Sequence, residues 1–381
     1  MRVFSAFVFL ISLLVSAPLQ AQTTYQTEAS HAAILDAETG EVLYSLNGDE
    51  AMPPASMSKM MTVLMVLEAL EAGSLSLDDE LPVSEHAWRT GGAASGSSTM
   101  FLEVNSRARV EDLLRGVIIQ SGNDACIVLA EALGGTEEAF ADMMTDRAHE
   151  LGLTSASFAN ATGWPDPDHR ISAIDLARLA RILIEDHPEY YGIWAEREFT
   201  YNGIRQYNRN PLLGVFSGAD GLKTGHTEES GYGLVGSAER DGERRIIVFN
   251  GMDSNAARAT EAERMMRAAL SDYSLYRLFE AGDAVDHRAE VFMGDTETVA
   301  LRVASDVTAG LHRRARRDLT VTVSYGGPLV APIQEGDVVG SLIVEAPDYD
   351  AREYDLVAAE SVAEKGLMGR IGAAIVHMLR G

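Results

Sequence analysis

Lysine is rare in this chain, and two of its lysines lie in short motifs whose residue types could carry out nucleophilic chemistry. Of the 31 lysine and arginine residues, only Lys59, Lys223 and Lys365 are lysine. A lysine amine can lose its proton when it is buried, whereas an arginine guanidinium cannot. Lysine at positions 59 and 223 therefore indicates sites that need a compact amine able to exchange a proton.

The first motif pairs a serine with a lysine three residues later. Ser56 and Lys59 follow two prolines and stand at the start of the apolar run 60–70. Residues three apart share one face of a helix, so the two side chains are expected to be within reach of each other. Free N–H groups at a helix N-terminus favour the negative charge that develops when a serine attacks a carbonyl. The alternative, a capping serine beside a surface lysine, gives Lys59 no evident solvent-exposed face, because the helix is apolar nearly all round.

Two further motifs place polar groups on a turn and a strand. Ser121 and Asn123 stand directly before a predicted helix, where they could face one cleft or simply cap the helix. The triplet of Lys223, Thr224 and Gly225 leads into a glycine-rich predicted strand. On a strand, Lys223 and Gly225 are expected on one face and Thr224 on the other, unless a twist at the sheet edge presents Lys223 and Thr224 together. Gly225 lacks a side chain that would block a ligand lying along the strand.

The order of these motifs, Ser-x-x-Lys, Ser-x-Asn and Lys-Thr-Gly, is shared by penicillin-binding proteins and class A β-lactamases. The surrounding segments 54–62, 120–126 and 220–227, together with 199–210, closely resemble the low-molecular-weight D-alanyl-D-alanine carboxypeptidases of serine peptidase family S11. The resemblance covers nearly the whole chain. It implies a hydrolase that removes the terminal D-alanine from peptidoglycan stem peptides and that β-lactam antibiotics acylate.

The resemblance implies catalytic roles for three residues. Ser56 would form an acyl ester with the substrate, and Lys59 would be its base, which requires a neutral amine. Burial and the second cation, Lys223, would both lower the pKa of Lys59. Ser121 would pass a proton to the departing D-alanine.

The resemblance also implies a set of substrate-binding groups. They are Asn123 for the substrate amide, Lys223 for developing negative charge, Thr224, Arg209 and His226 for the terminal carboxylate, and Gly225 at the strand edge. The oxyanion is expected between the backbone N–H groups of Ser56 and His226. The glycine- and serine-rich stretch 91–98 resembles a loop that borders the active site in the family, and a plain surface loop is the alternative.

Three rival functions would use the same residues. A β-lactamase would need rapid hydrolysis of its acyl ester, and the Glu-x-x-Leu-Asn segment that class A enzymes use for this step is absent from the sequence. A non-catalytic peptidoglycan-binding scaffold would be expected to have lost a reacting group, yet Ser56, Lys59, Ser121 and Lys223 are all present. A DD-endopeptidase acting on cross-links stays open, because it cleaves the same type of bond and differs only in the leaving group.

The composition argues against other classes of function. A net charge of −26 is unsuited to binding nucleic acid. The one cysteine, Cys126, cannot form an internal disulfide and is expected to have a packing role. The nine histidines include no pair four residues apart and none has a cysteine partner, so we predict neither a metal nor another cofactor.

Hydrophobic periodicity predicts an α+β catalytic domain over 22–284. It combines a β-hairpin at 31–46, a buried helix at 60–70 that stops at Gly73, mostly helical structure at 110–184, and a second hairpin at 231–250 with its turn at Asp241 and Gly242. This order suggests a sheet that pairs the two ends of the segment. The resemblance implies the same architecture, an antiparallel sheet with helices as in the penicillin-binding and β-lactamase-like fold.

A small all-β domain is predicted to follow over 285–358. Its short alternating strands are expected at 298–303, 319–324 and 336–345, separated by turns such as the one at 326–328.

The two ends of the chain predict export and membrane attachment. Residues 1–21 are predicted to be a secretory signal, with a retained N-terminal anchor as the alternative, because their apolar stretch is too short to span a bilayer. Residues 359–381 are predicted to form an amphipathic helix lying in the membrane surface, with a helix docked on the β domain as the alternative. Its apolar side would consist of Leu367, Met368, Ile371, Ala374, Ile375, Met378 and Leu379. With the family resemblance, these features predict a location at the periplasmic face of the bacterial cytoplasmic membrane.

Overall fold

The chain alternates helices and strands between residues 25 and 366, the part that the computed structural model describes. The helices are α1 (Lys59–Glu71), α2 (Val110–Arg115), α3 (Asn123–Gly134), α4 (Glu137–Glu150), α5 (Ala173–Glu185), α6 (Pro188–Tyr191) and α7 (Asn255–Ser271). The first strands are β1 (His31–Asp36), β2 (Val42–Leu46), β3 (Glu80–Pro82), β4 (Arg107–Arg109), β5 (Glu198–Tyr201), β6 (Ile204–Tyr207), β7 (Ala219–Thr227), β8 (Gly231–Arg240) and β9 (Glu243–Met252). The later strands are β10 (Tyr273–Phe279), β11 (Ala284–Phe292), β12 (Thr298–Val303), β13 (Val307–His312), β14 (Thr320–Ser324), β15 (Leu329–Val330), β16 (Val338–Ala346) and β17 (Tyr349–Ala358).

The central sheet joins the two ends of the N-terminal region, as the sequence predicts. Its strand order is β2-β1-β9-β8-β7, and all neighbouring strands are antiparallel. Both predicted hairpins are confirmed. The turn between β8 and β9 has Asp241 at φ 57° and Gly242 at φ 82°, the two positive angles that a type I′ turn requires. Strand β7 lies at one edge of this sheet.

Helices cover both faces of the central sheet. Successive strand residues face opposite sides, so Ala33 and Leu35 of β1 join the core formed with α1, α3 and α5, whereas Ala32 and Ile34 join the core formed with α7. Helix α1 is buried on nearly all sides, as predicted, and Gly73 follows its end with a φ of 69°. The sheet is therefore enclosed, and its edge at β7 is where a ligand can approach.

The stretch 110–184 is mostly helical, as predicted, with one local difference. Helix α2 ends at Arg115, and Gly116–Gln120 form a π-helical turn. The turn widens because Ser121 adopts a left-handed conformation (φ 65°) and the N–H of Gly122 donates to the carbonyl of Gly116 at 2.9 Å. This break turns Ser121 away from the helix.

The C-terminal region is a β domain with a core of its own. Its main sheet has the order β14-β16-β17-β12-β11-β15, and β10 pairs with β13. The three strands predicted in this region are confirmed as β12, β14 and β16. Arg352 of β17 reaches back to Glu41, which lies in the turn before β2, with its Nη1 2.5 Å from the Glu41 carboxylate. The ion pair links the β domain to the sheet of the catalytic region.

The prediction of a helix beginning at residue 359 is wrong. Val362 forms a β-bridge with Ile333, in which each N–H donates to the other's carbonyl at 2.9 Å, and Glu364 forms a bridge with Gly294. Residues 359–366 are extended because their backbone groups pair with the β domain. The remainder of the predicted helix, 367–381, and the predicted signal within 1–24 lie outside the described residues.

A buried carboxylate fixes the segment 99–102 against the start of α3. Asp124 has no exposed surface, and it accepts hydrogen bonds from the Thr99 hydroxyl (2.7 Å) and the N–H groups of Met100 (2.8 Å) and Leu102 (3.0 Å). Buried donors are costly to leave unpaired, so this carboxylate determines where the segment lies relative to Ser121.

Replacing Asp124 with alanine is expected to lower the free energy of unfolding by about 3 kcal/mol, because it leaves buried donors without partners. Urea unfolding followed by tryptophan fluorescence measures this, since Trp88, Trp164 and Trp194 all lie in the N-terminal region. Asp142→Ala, an exposed acid on α4, is the matched control and should change the free energy of unfolding by less than about 0.5 kcal/mol. Equal stability of the two variants would contradict the assigned role.

Candidate active site

The side chains of Ser56 and Lys59 meet at the start of α1. Ala55–Ser58 form a 3-10 helix that runs directly into α1. The Nζ atom of Lys59 lies 2.9 Å from the Oγ atom of Ser56, within hydrogen-bond distance. Ala55, just before the serine, has a φ of 49°, a left-handed conformation that is strained for alanine and that recurs at functional sites. The spacing of the first motif thus brings a hydroxyl and an amine into contact.

Lys59 has no exposed surface, and its amine has three acceptors. Besides Ser56, Nζ donates to the Oδ1 atom of Asn123 at 2.7 Å and to the main-chain carbonyl of Thr162. The last two partners are carbonyl oxygens, which can only accept. A neutral amine would donate its two hydrogens to them and direct its lone pair at the Ser56 hydroxyl. This arrangement suits a base that takes the proton of Ser56.

Burial decides the protonation of the ionisable groups around Ser56. It lowers the pKa of the Lys59 amine from 10.5 to about 8, and the nearby Arg209 lowers it as well. The sequence analysis expected the Lys223 cation to lower the pKa of Lys59. The structure shows an effect in the other direction: burial and the charge of Lys59 hold the pKa of Lys223 well below its ordinary value. Burial also raises the pKa of the Cys126 thiol to about 12, so the thiol is uncharged at neutral pH.

Ser121 reaches the cleft from the turn before α3, and Asn123 reaches it from the first residue of α3. The Ser121 Oγ is buried and has no hydrogen-bond partner within residues 25–366. Buried hydroxyls are rarely left unpaired, so this atom is available to a group bound in the cleft. Gly122 is the N-cap of α3, and in the described part of the chain no side chain caps that helix. The alternative of a plain capping turn therefore does not describe this segment.

The third motif lies on the edge strand β7. Thr224, Gly225 and His226 line the cleft, and Lys223 is buried behind them with its Nζ 3.4 Å from the Thr224 carbonyl. A Cβ atom at position 225 would come within 2.7 Å of the Pro54 carbonyl oxygen. Glycine is therefore what lets β7 approach the chain just before Ser56.

Two arginines give the cleft positive charge. Arg209 donates from Nη1 to the Ser98 hydroxyl at 2.7 Å. Arg258, at the start of α7, is only 6% exposed, and its guanidinium lies 5.5 Å from the ring centroid of Tyr232. Burial lowers the pKa of Arg258 to about 10, which keeps it charged at neutral pH. The pair can bind a carboxylate. The sequence analysis named Arg209 and missed Arg258, because nothing in its surroundings distinguishes it from the other arginines.

The turn 160–164 supplies further groups that the sequence analysis missed. The side-chain oxygen of Asn160 accepts from the N–H groups of Thr162 (3.1 Å), Gly163 (2.8 Å) and Trp164 (3.1 Å). This turn holds the Thr162 carbonyl against Lys59 and places Trp164 at the cleft wall. The sequence signal available, an asparagine three residues before a glycine, indicates a turn but not its neighbours.

All these groups surround one cleft of about 1110 Å³. Ser56, Ser121, Asn123, Arg209, Thr224, Gly225, His226 and Arg258 line it, and Lys59 and Lys223 are buried next to it. Gly96, Ser97 and Ser98 also line it, so the stretch 91–98 borders the cleft, one of the two interpretations left open by the sequence. Within residues 25–366, no group of three or more His, Cys, Asp or Glu side chains could hold a metal ion.

Comparison with known sequences relates the chain to one family. A family model described as D-alanyl-D-alanine carboxypeptidase, peptidase S11, matches residues 17–254, and a model of the C-terminal domain of penicillin-binding protein 5 matches residues 273–364. The chain is 37% identical to the D-alanyl-D-alanine carboxypeptidase DacC of Escherichia coli strain K12 over 375 residues, which cover 96% of this chain and 92% of that protein. It is 33% identical to DacA of Haemophilus influenzae, over 94% of this chain and 91% of that protein.

Solved structures show the same architecture. The D-alanyl-D-alanine carboxypeptidase DacD of Francisella tularensis superposes with a TM-score of 0.78 at 30% identity, covering 90% of this chain and 95% of that one. Penicillin-binding protein 5 of Haemophilus influenzae gives 0.69 at 33% identity, covering 90% and 99%. Penicillin-binding protein D2 of Listeria monocytogenes, solved in an ampicillin-bound form, gives 0.57 at 32% identity, covering 66% and 100%. The chain belongs to the S11 family of D-alanyl-D-alanine carboxypeptidases, the low-molecular-weight penicillin-binding proteins.

Proposed function

We propose that the protein removes the terminal D-alanine from peptidoglycan stem peptides ending in D-Ala-D-Ala, by way of an acyl-enzyme on Ser56. The observation that carries this proposal is the 2.9 Å contact between the Lys59 amine and the Ser56 hydroxyl, with two carbonyl oxygens that orient the amine. Membership of the carboxypeptidase family supports the choice of reaction. The proposed reaction uses only side chains and backbone groups of the chain itself and needs no cofactor.

Acylation begins when the neutral Lys59 amine takes the Ser56 proton and the Ser56 Oγ bonds to the carbonyl carbon of the penultimate D-alanine. Backbone N–H groups of Ser56 and His226, with Lys223 behind them, stabilise the oxyanion. The carbon–nitrogen bond then breaks, and the leaving amine receives its proton from Lys59 by way of Ser121. The unpartnered Oγ of Ser121 supports this relay. Free D-alanine departs, and the shortened peptide stays as an ester.

Deacylation restores the enzyme. A water molecule attacks the ester carbonyl and gives its proton to Lys59, and the ester bond breaks to release the peptide acid as the Ser56 oxygen regains a proton. A β-lactam is attacked in the same way, but its leaving nitrogen stays attached to the acyl group after the ring opens. The ampicillin-bound relative supports β-lactams as covalent inhibitors of this protein.

The terminal carboxylate of the substrate binds at the cationic end of the cleft. Thr224, His226 and Arg209 are the groups implied by the family resemblance, and the geometry adds Arg258. Asn123 holds the substrate amide, and Gly225 leaves room along the β7 edge. The free carboxylate of the leaving D-alanine matches two guanidinium groups.

We also propose that the mature chain is a secreted protein held at the periplasmic face of the cytoplasmic membrane. The catalytic domain and the β domain would then be attached through an amphipathic helix in 367–381, with the β domain running from β10 to the bridge at Val362 and not only over 285–358. No helix between residues 25 and 366 has the length and apolar character to cross a bilayer. The support for attachment is the apolar and basic pattern of the C-terminal sequence.

Ser56→Ala is expected to abolish labelling by a fluorescent penicillin and to lower D-alanine release from a D-Ala-D-Ala peptide at least about 1000-fold, because no other group can form the ester. Gel fluorescence and a D-alanine assay measure the two effects. Cys126→Ala is the control; it should keep both activities, since the thiol is uncharged. Labelling of the Ser56→Ala protein would overturn the assignment of the nucleophile.

The pH dependence of kcat/KM should show an acidic limb with an apparent pKa of about 8, the value to which burial lowers Lys59. Activity should rise with pH through this value, because only the neutral amine can accept the Ser56 proton, and it should fall about tenfold for each pH unit below it. Initial rates on a D-Ala-D-Ala peptide from pH 5 to 10 measure this. Lys59→Arg, which keeps the charge but cannot lose it, should be inactive throughout. A limb that survives in this variant would refute the role of Lys59.

Deletion of residues 367–381 should release the protein from membranes, because it removes the apolar face while leaving the Val362–Ile333 bridge of the β domain intact. Sedimentation of membranes from cells that express the full chain or the truncated chain measures the distribution. Unchanged penicillin labelling would show that the truncated protein is folded. Continued sedimentation of the truncated protein with membranes would rule out this attachment.

A further inference from the structure

Glu137, the first residue of α4, is an enclosed carboxylate near the active site that the proposed reaction does not use. Its side chain is only 12% exposed, and glutamate is seldom enclosed to this extent without a partner. The positive end of the helix dipole favours a negative charge at the first position of this 14-residue helix. Glu137 does not line the cleft, so any part it has in the reaction must act through other residues.

The two oxygens of this carboxylate contact two different segments. Oε1 accepts a hydrogen bond from the N–H of Ala161 at 3.2 Å. Oε2 lies 3.5 Å from Nε2 of His86, within ion-pair distance when the imidazole is protonated. His86 lies on the segment that leads into the stretch 91–98 at the border of the cleft. Glu137 thus joins the start of α4 to the turn 160–164 on one side and to this segment on the other.

The turn that carries Thr162 is held in place from both sides of the preceding residue. The N–H of Ala161 donates to Glu137, and the Ala161 carbonyl accepts from the Thr62 hydroxyl of α1 at 2.7 Å. The next carbonyl, that of Thr162, accepts from the Lys59 amine. Hydrogen bonds within the turn fix its shape, whereas the two contacts of Ala161 fix its position relative to α4 and α1. A shift of Ala161 would therefore move the Thr162 carbonyl relative to the amine.

The charge of Glu137 also acts on the amine. Burial lowers the pKa of Lys59 and the charge of Arg209 lowers it further, whereas the nearby charges of Glu137 and Asp124 raise it. Further titratable groups around the amine and around Glu137 are Lys223 on β7, Cys126 on α3, His169 after the turn, His86 and Glu138. A base is most effective when its pKa lies near the operating pH. Loss of the Glu137 charge would lower the pKa of Lys59 and make the amine a weaker base.

We propose that Glu137 is a positioning residue for acylation of Ser56, which holds the Thr162 carbonyl against the Lys59 amine and places a negative charge near that amine. The inference rests on the proposed function only through the step in which Lys59 takes the proton of Ser56. The hydrogen bond to Ala161 supports the geometry of the base, and the charge sets the pH range over which the amine is neutral. These two contributions are separable by substitution.

The test measures the second-order rate constant for acylation by a fluorescent penicillin from pH 5 to 10, with D-alanine release from a D-Ala-D-Ala peptide followed in parallel. Glu137→Gln keeps an oxygen that can accept from Ala161 but removes the charge. Its acidic limb should move to lower pH by about half a unit, while the plateau stays within about twofold of the wild-type value. Glu137→Ala removes the acceptor as well, so its plateau should fall about tenfold.

Glu138→Gln is the matched control, because this exposed acid adjoins Glu137 and its carboxylate bonds to Thr136 and to its own N–H instead of to the turn. It should change neither the limb nor the plateau. Thermal unfolding midpoints verify that each variant is folded. An acidic limb that stays in place in Glu137→Gln, or that moves equally in Glu138→Gln, would overturn the assignment. Equal plateaus in Glu137→Ala and Glu137→Gln would overturn it too.

Failure of this inference is distinct from failure of the proposed function. Penicillin acylation reports on the step at Ser56 and Lys59 alone, so its pH dependence decides the role of Glu137 whatever the natural substrate is. Absence of D-alanine release by the wild-type protein at every pH, with acylation retained, would instead reject the proposed carboxypeptidase reaction.

Discussion

Removal of the Lys59 amine from water is the constraint on which the rest of the site depends. Burial of an ammonium group costs several kcal/mol of solvation free energy. A paired counter-charge offsets this cost, and loss of the proton avoids it. Among residues 25–366 no carboxylate pairs with this amine; its acceptors are a hydroxyl and two carbonyl oxygens, from Ser56, Asn123 and Thr162. These partners accept hydrogen bonds from the amine, but they carry no negative charge that would stabilise an ammonium group. The pKa therefore falls to about 8, and the amine can serve as a base near neutral pH.

Three chain segments must approach closely to create that environment, and small residues allow it. Gly225 lets the edge strand β7 pass the Pro54 carbonyl, and Gly163 lets the 160–164 turn press against Ala55. Asn160 and Asp124 then fix the two loops on either side with several hydrogen bonds each. Close approach excludes water from Lys59, so the same contacts that stabilise the fold also set the protonation of the base.

Sequence patterns foresaw those parts of the site that chemistry confines to particular residue types. Of lysine and arginine only lysine can be neutralised to act as a buried base, so Lys59 stood out in an arginine-rich chain, and Gly225 stood out as a residue without a side chain on the predicted strand. The hairpin turn at Asp241 and Gly242 and the apolar helix α1 were foreseen for similar reasons. Thr162 was not, because it contributes a main-chain carbonyl that any residue could supply. Arg258 was hidden among many arginines, and the extended course of 359–366 depends on pairing with Ile333, which periodicity does not encode.

Charge distribution links the chemistry of the cleft to the rest of an acidic protein. The chain has a net charge of −26, yet Lys59, Lys223, Arg209 and Arg258 converge on one cleft. Burial lowers the pKa values of both lysines, and the charge of Lys59 lowers that of Lys223 further, whereas the guanidinium groups stay charged at neutral pH. In the proposed reaction the amines exchange protons, and the guanidinium groups bind the substrate carboxylate. Arginine and lysine divide these tasks because only one of them can be neutralised.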